Sequence, residues 1–140
     1  MREGTVHVID DDLSIRCAVD RLLRSNDQQV RTYPSAREFL NQQLDSRPAC
    51  IVLDLQMPEM SGLDLQEILT QGHESMSIVF ISGHADIPDS VRAMKAGAVD
   101  FLTKPFDESQ LLAAVNTALA KSRQACMDRE SIDRDRAAFE

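Results

Sequence analysis

Short apolar runs alternate with amphipathic stretches along most of the chain. Val6 to Ile9, Ile51 to Leu53, Ile78 to Ile81 and Val99 to Leu102 are brief, rich in β-branched or aromatic residues, and mostly apolar throughout. An unbroken apolar run is buried on both faces, as a central strand of a parallel sheet must be. Gln29 to Tyr33 alternates instead and reads as an edge strand. Between these runs the spacing turns helical. Ile15, Val19, Leu22 and Leu23 recur at i, i+4, i+7 and i+8, preceded by Asp12 as an N-cap. Leu65, Ile68 and Leu69 mark a second helix between Gly62 and Gly72. Pro88 suits a first helical turn, Val91 and Met94 share a face, and Gly97 reads as a C-terminal cap. Asp107 and Gln110 resemble a capping box ahead of Leu111, Val115 and Leu119. Ser35 to Leu40, after Pro34, supplies the remaining short helix.

Five strands alternating with five helices through short loops predict an α/β doubly wound parallel sheet. Ligands of such sheets sit outside the carboxyl ends of the strands, so the residues that end each strand are the candidates for chemistry. Composition narrows the class without changing the fold. At 140 residues, 43% hydrophobic and 27% charged, the chain has the make-up of one globular domain. A formal net charge of −8 argues against phosphate-backbone binding by this chain alone. Cys17, Cys50 and Cys126 are widely spaced and form no CxxC pair, which speaks against a disulfide framework and a zinc site. No apolar run approaches the roughly 18 residues of a membrane span. The opening MREGTVHVIDDD lacks a signal-peptide core, so a cytoplasmic location away from membranes is expected.

The strand ends carry Asp10-Asp11-Asp12, Asp54, Ser82 and Lys104-Pro105. Carboxylates brought together repel and raise one another's pKa unless a cation neutralises them. Hard oxygen ligands without His or Cys point to Mg²⁺, which uses one or two carboxylates together with a phosphate. Lys104 brings the opposite charge to a phosphoryl group. The pattern therefore predicts phosphate chemistry at an acidic, Mg²⁺-loaded pocket. Taken singly, each residue has an ordinary meaning: a solvated cap, a turn serine, a surface lysine, and in Phe101 a core aromatic. Only their joint placement carries the reading.

IDDD, VLDLQMPEMSG, ISGHAD and FLTKPF occur in this order, and with them the chain resembles the receiver domain of two-component response regulators. The stretch SGHADIPDSVRAMKAGAVDFLTKPF is similar to the FixJ-type subgroup, and the resemblance covers about residues 4–121. It implies a flavodoxin-like strand order 2-1-3-4-5; that the last helix is extended is read from the residues after Pro105, which include no Gly or Pro, against the alternative of a frayed charged tail. It implies Asp54 as phosphoacceptor, and Mg²⁺ held by Asp11, Asp54 and the backbone carbonyl of Gln56, with Asp10 acting through water. Ser82 and Lys104 are then the phosphoryl-binding groups, Ser82 and Phe101 the switch pair, and Lys104–Pro105 a cis bond. Gln56 and His84 are candidates for tuning dephosphorylation.

The same resemblance implies a sensor histidine kinase as donor and a phosphorylation-dependent homodimer. DNA contact would come only through a C-terminal effector domain absent from this chain. Residues 1–121 then form the receiver domain, and 122–140 a charged helical linker. Such a domain catalyses its own phosphotransfer and slow autodephosphorylation, and is no enzyme in the turnover sense. Two other readings compete. Asp10 to Ser14 also fits the DxDx(S/T) start of haloacid-dehalogenase-type phosphatases, with Asp10 as nucleophile, but this leaves Asp54 and the MPEMSG loop unexplained. A phosphate-independent pseudo-receiver is the other, and the match at all five active-site positions weighs against it.

Overall fold

The computed structural model describes residues 4–42, 47–72, 75–83 and 87–138. Strands β1 (Thr5–Ile9), β2 (Val30–Tyr33), β3 (Ala49–Asp54), β4 (Met76–Ser82) and β5 (Asp100–Thr103) form one parallel sheet in the order β2-β1-β3-β4-β5. Helices α1 (Leu13–Arg24), α2 (Ala36–Leu40), α3 (Gly62–Gly72), α4 (Ile87–Lys95) and α5 (Glu108–Ala138) complete the alternation. Every residue of β3 is buried, as its central place demands, while Arg31 and Thr32 of the edge strand β2 are both exposed.

Strand periodicity divides the core in two. Val6, Val8, Val52, Val79 and Ile81 face α1 and α5, where Val19, Leu23, Leu111 and Val115 meet them. Ile9, Ile51, Leu53 and Phe80 face the other way, against Phe39, Leu65, Leu69 and Ala93 of α2, α3 and α4. The caps follow the sequence closely. Asp12 accepts from the Ser14 N–H at 2.8 Å, and Ser35 Oγ accepts from the Glu38 N–H at 3.2 Å. Gln110 Oε1 accepts from the Asp107 N–H at 3.3 Å. Helix α4 closes with Ala98 N–H on Ala93 O and Gly97 N–H on Met94 O, a Schellman pair that needs the positive φ of 106° at Gly97.

Three elements depart from the periodic reading. In α3, Ile68 is exposed and Gln66 is buried, because Gln66 Nε2 donates to Ala93 O at 3.0 Å and so faces α4. In α4, Ile87, Val91 and Met94 do share a face, but that face is exposed, and Ala93 is the buried residue that meets the core. Strand β5 begins at Asp100 rather than Val99, whose N–H makes the first link to Ile78 O.

Helix α5 is continuous for 31 residues, and its buried positions run past residue 121 to Ser122 and Cys126. Ser122 Oγ accepts from the Ala49 N–H at 2.9 Å and donates to Ser75 O, clamping α5 to the amino ends of β3 and β4. Among the described residues, no helix is long and apolar enough to cross a membrane.

Candidate functional site

The period of two that buries Val8, Val52 and Leu102 on one side of the sheet carries on to Asp10, Asp54 and Lys104 at the carboxyl edge. The three side chains therefore converge although the lysine lies 94 positions from Asp10 in sequence. Lys104 Nζ donates to Asp10 Oδ2 at 2.9 Å and stands 3.6 Å from Asp54 Oδ1. Asp10 is fully buried, and its other oxygen accepts from the Asp12 N–H at 2.9 Å. Asp54 is also buried, and its Oδ1 accepts a long 3.4 Å bond from the Gln56 N–H. Asp11 is exposed beside them, and Asp10, Asp11 and Asp54 each present an oxygen within 4.8 Å of the others.

Charge on this edge is out of balance. Burial first, and then the neighbouring Asp10 carboxylate, push the Asp54 carboxyl up to about 7, against the opposing pull of Lys104. Partial burial pulls the Lys104 ammonium down, but the hydrogen bond and charge of Asp10, helped by Asp54, outweigh it and hold Lys104 above the ordinary lysine value. Three carboxylates facing one ammonium leave negative charge uncompensated. The donor set is all oxygen, so a hard divalent cation of the Mg²⁺ kind fits what these residues offer.

Ser82 ends β4 and is buried on the opposite face from Asp54, where it continues the side of Phe80. Phe101 of β5 lies level with Phe80 in the ladder, their rings 6.1 Å apart, and is half-buried. Ser82 and Phe101 thus share one face. Lys104 N–H donates to Ser82 O at 2.7 Å, which ties the loop after β5 to the end of β4, and the Lys104–Pro105 bond is cis. Gln56 is exposed two residues beyond Asp54. His84 lies outside the described residues.

Two supporting residues carry no signal in the sequence. Arg16, one turn into α1, donates from Nη1 to Asp10 O at 2.6 Å and steadies the acidic turn. Gly62, read only as a helix start, packs so tightly that a Cβ there would lie 2.5 Å from Asp54 O and 3.0 Å from the Phe80 ring. A side chain at 62 would displace the strand end that presents Asp54. In sequence a glycine opening a helix looks like any other, and an arginine on α1 looks like a solvated one.

A family model for the response regulator receiver domain matches residues 6–116. Response regulator protein TmoT of Ectopseudomonas mendocina is 43% identical over 139 residues, covering 99% of this chain and 63% of that protein. Transcriptional regulatory protein FixJ of Rhizobium meliloti is 39% identical over 118 residues, covering 84% of this chain and 58% of FixJ. The chain therefore spans less than two thirds of the length of these curated relatives. Among solved structures, the response regulator StyR superposes with a TM-score of 0.92 at 44% identity, over 99% of this chain and 70% of that one. FixJ-N superposes with a TM-score of 0.78 at 38% identity, over 86% of this chain and 96% of that one. A shared strand order, an acidic edge with its lysine in place, and a family match over most of its length lead to one conclusion: the chain belongs to the response regulator receiver domain family of two-component systems.

Proposed function

We propose that this chain is a phosphorylation-activated switch in which Asp54 accepts a phosphoryl group from the phosphohistidine of a sensor histidine kinase. One observation carries the reading: a buried carboxylate ends the central strand, within reach of an ammonium and two further carboxylates. Asp10 is a poorer nucleophile, because Asp12 N–H and Lys104 Nζ already occupy its two oxygens at 2.9 Å each. Asp54 is held more loosely, at 3.4 Å by Gln56 and 3.6 Å by Lys104. That difference favours the receiver reading over a phosphatase built on Asp10.

Asp11, Asp54 and the Gln56 carbonyl would hold Mg²⁺, with Asp10 acting through water. When bound, the ion offsets the carboxylate charge and that of the phosphoryl oxygens. Asp54 attacks phosphorus as the donor's P–N bond breaks. Lys104 then turns from Asp10 toward a phosphoryl oxygen, and the Ser82 hydroxyl donates to another. Gln56 and His84 are the candidates for tuning the later, slow attack of water on the acyl phosphate.

The acyl phosphate carries roughly −1.5 to −2 of charge in place of the Asp54 carboxylate. Drawing Ser82 toward it frees space on the face that Ser82 shares with Phe101, and Phe101 turns inward. Moving a switch from mostly inactive to mostly active takes on the order of 5 kcal/mol, and one charge-assisted hydrogen bond supplies roughly 1.5 to 3. Ser82 and Lys104 must therefore act together. The phosphorylated chain forms a homodimer, and residues 122–140 lead to a DNA-binding effector region of the kind implied by relatives named transcriptional regulatory proteins.

The test uses acetyl phosphate and Mg²⁺ on wild type and Asp54→Asn, followed by intact mass measurement. A single phosphoryl adduct on wild type and none on the variant is expected. An adduct at wild-type level on Asp54→Asn overturns the assignment.

A further inference from the structure

At the amino end of the sheet, opposite the acidic edge, β4 has an open side. Val99 N–H bonds to Ile78 O and Lys104 N–H bonds to Ser82 O, so the even-numbered residues of β4 aim their peptide groups at β5. Strand β5 begins only at Asp100, opposite Val79. By the same period of two, the Met76 N–H and C=O and the Ile78 N–H point outward below the first rung, where no strand of the sheet runs. A groove of about 310 Å³ lies against this edge.

The groove is a slot between layers rather than a surface dent. Gln66 and Leu69 of α3 wall it on one face of the sheet, and Lys121 and Ala125 of α5 wall it on the other. The Ala96–Gly97 turn closes one end. This is the space that a longer β5 would fill. Gln66 is 2% exposed, and its Nε2 is engaged with Ala93 O. Lys121 is exposed at the mouth, and among the described residues no carboxylate pairs with it.

We propose that this slot is a docking site for an extended peptide segment that carries a carboxylate and belongs to a partner protein. The outward N–H, C=O and N–H of Met76 and Ile78 match the hydrogen-bonding edge of one extended residue and its neighbours, which a compact small molecule would not reproduce. Leu69 and Ile78 receive an apolar side chain on one face of the added strand, Ala125 lines the other face, and Lys121 pairs with the acidic group. Strand addition supplies the affinity, and Lys121 supplies the charge preference.

The experiment titrates the ¹⁵N-labelled 140-residue chain with acetyl-Thr-Val-Glu-Val-Thr-amide and with acetyl-Thr-Val-Lys-Val-Thr-amide. Shifts at the Met76, Ile78 and Gly97 amides are expected, together with slower hydrogen exchange at Ile78. The acidic peptide should bind roughly fivefold more tightly, the scale of an exposed ion pair exchanged for a repulsion. Lys121→Glu, at an exposed helical position, should invert that preference. Shifts at the carboxyl edge alone, no shift at millimolar peptide, or equal affinity for the two peptides would each overturn the proposal. So would the same amides shifting as the chain alone is concentrated, which would give the slot to a second copy.

Discussion

Helix α5 presses Leu111, Ala114, Val115, Ala118 and Leu119 into the core, whereas α4 commits Ala93 and leaves Ile87, Val91 and Met94 in solvent. Both helices flank β5, and both carry apolar residues at helical spacing. Fully burying a large apolar side chain is worth roughly 1.5 to 3 kcal/mol, so the two attachments differ by several such contributions. Helix α5 is additionally clamped by Ser122 to the backbone of Ala49 and Ser75. Helix α4 has in its place the Gln66 bond to Ala93 O. The proposed rearrangement at Ser82 and Phe101 would therefore cost least if α4 expressed it, with α5 moving as a rigid lever or not at all.

The sharpest way to break this comparison is to cut into α5. Leu111→Ala removes a fully buried side chain and should cost about 3 kcal/mol in urea denaturation. A cost under 1 kcal/mol would mean that α5 is no anchor.

The next effect separates the acidic edge from both helices. Folding raises the Asp54 carboxyl from 3.8 to about 7. The folded chain thus keeps a proton that the unfolded chain releases. The associated stability is fully present below about pH 4 and is lost as pH climbs through about 7. In chelator, wild type should lose on the order of 2 kcal/mol between pH 5 and pH 8 relative to Asp54→Asn. Parallel stability curves for the two proteins would remove the carboxylate crowding from the account.

Ser122→Ala comes third. It strands the Ala49 N–H and the Ser75 carbonyl that the hydroxyl serves, for a loss of about 1 to 2 kcal/mol by the same denaturation measurement. No loss would show that packing alone holds α5. Smallest of all, Val91→Ala and Met94→Ala in α4 should each change stability by no more than about 0.5 kcal/mol, since both side chains are exposed. A loss above 1 kcal/mol at either would erase the contrast from the other side.

The strands and most caps were legible because their signals are local. An apolar run such as Ile51 to Leu53 needs burial on both faces whatever surrounds it, and it lies inside the wholly buried β3. Asp12 caps its helix through a bond that spans two residues, which spacing alone anticipates, whereas Ser35, read as the first residue of its helix, is the cap before it. The faces of α3 and α4 were not legible. Periodicity says that Ile68, Val91 and Met94 lie on apolar sides of helices, but it cannot say whether a neighbour covers them. Gln66 is buried only because Ala93 O lies opposite it, 27 positions away.

The same boundary runs through the site. From its sequence alone this protein is a parallel α/β chain whose strands end in Asp10, Asp54 and Ser82, with Lys104 just beyond the last, because strand burial and the turns after it are dictated by neighbouring residues. The tertiary structure alone decides how those ends share their charge. It gives Lys104 to Asp10 at 2.9 Å and leaves Asp54 at 3.6 Å, buried and raised toward neutrality. It also brings Arg16 to the Asp10 carbonyl, Gly62 against Asp54 and Ser122 between two strands. Each of these depends on a distance between elements remote in the chain, and electrostatic energy and packing are set by such distances rather than by order along the backbone.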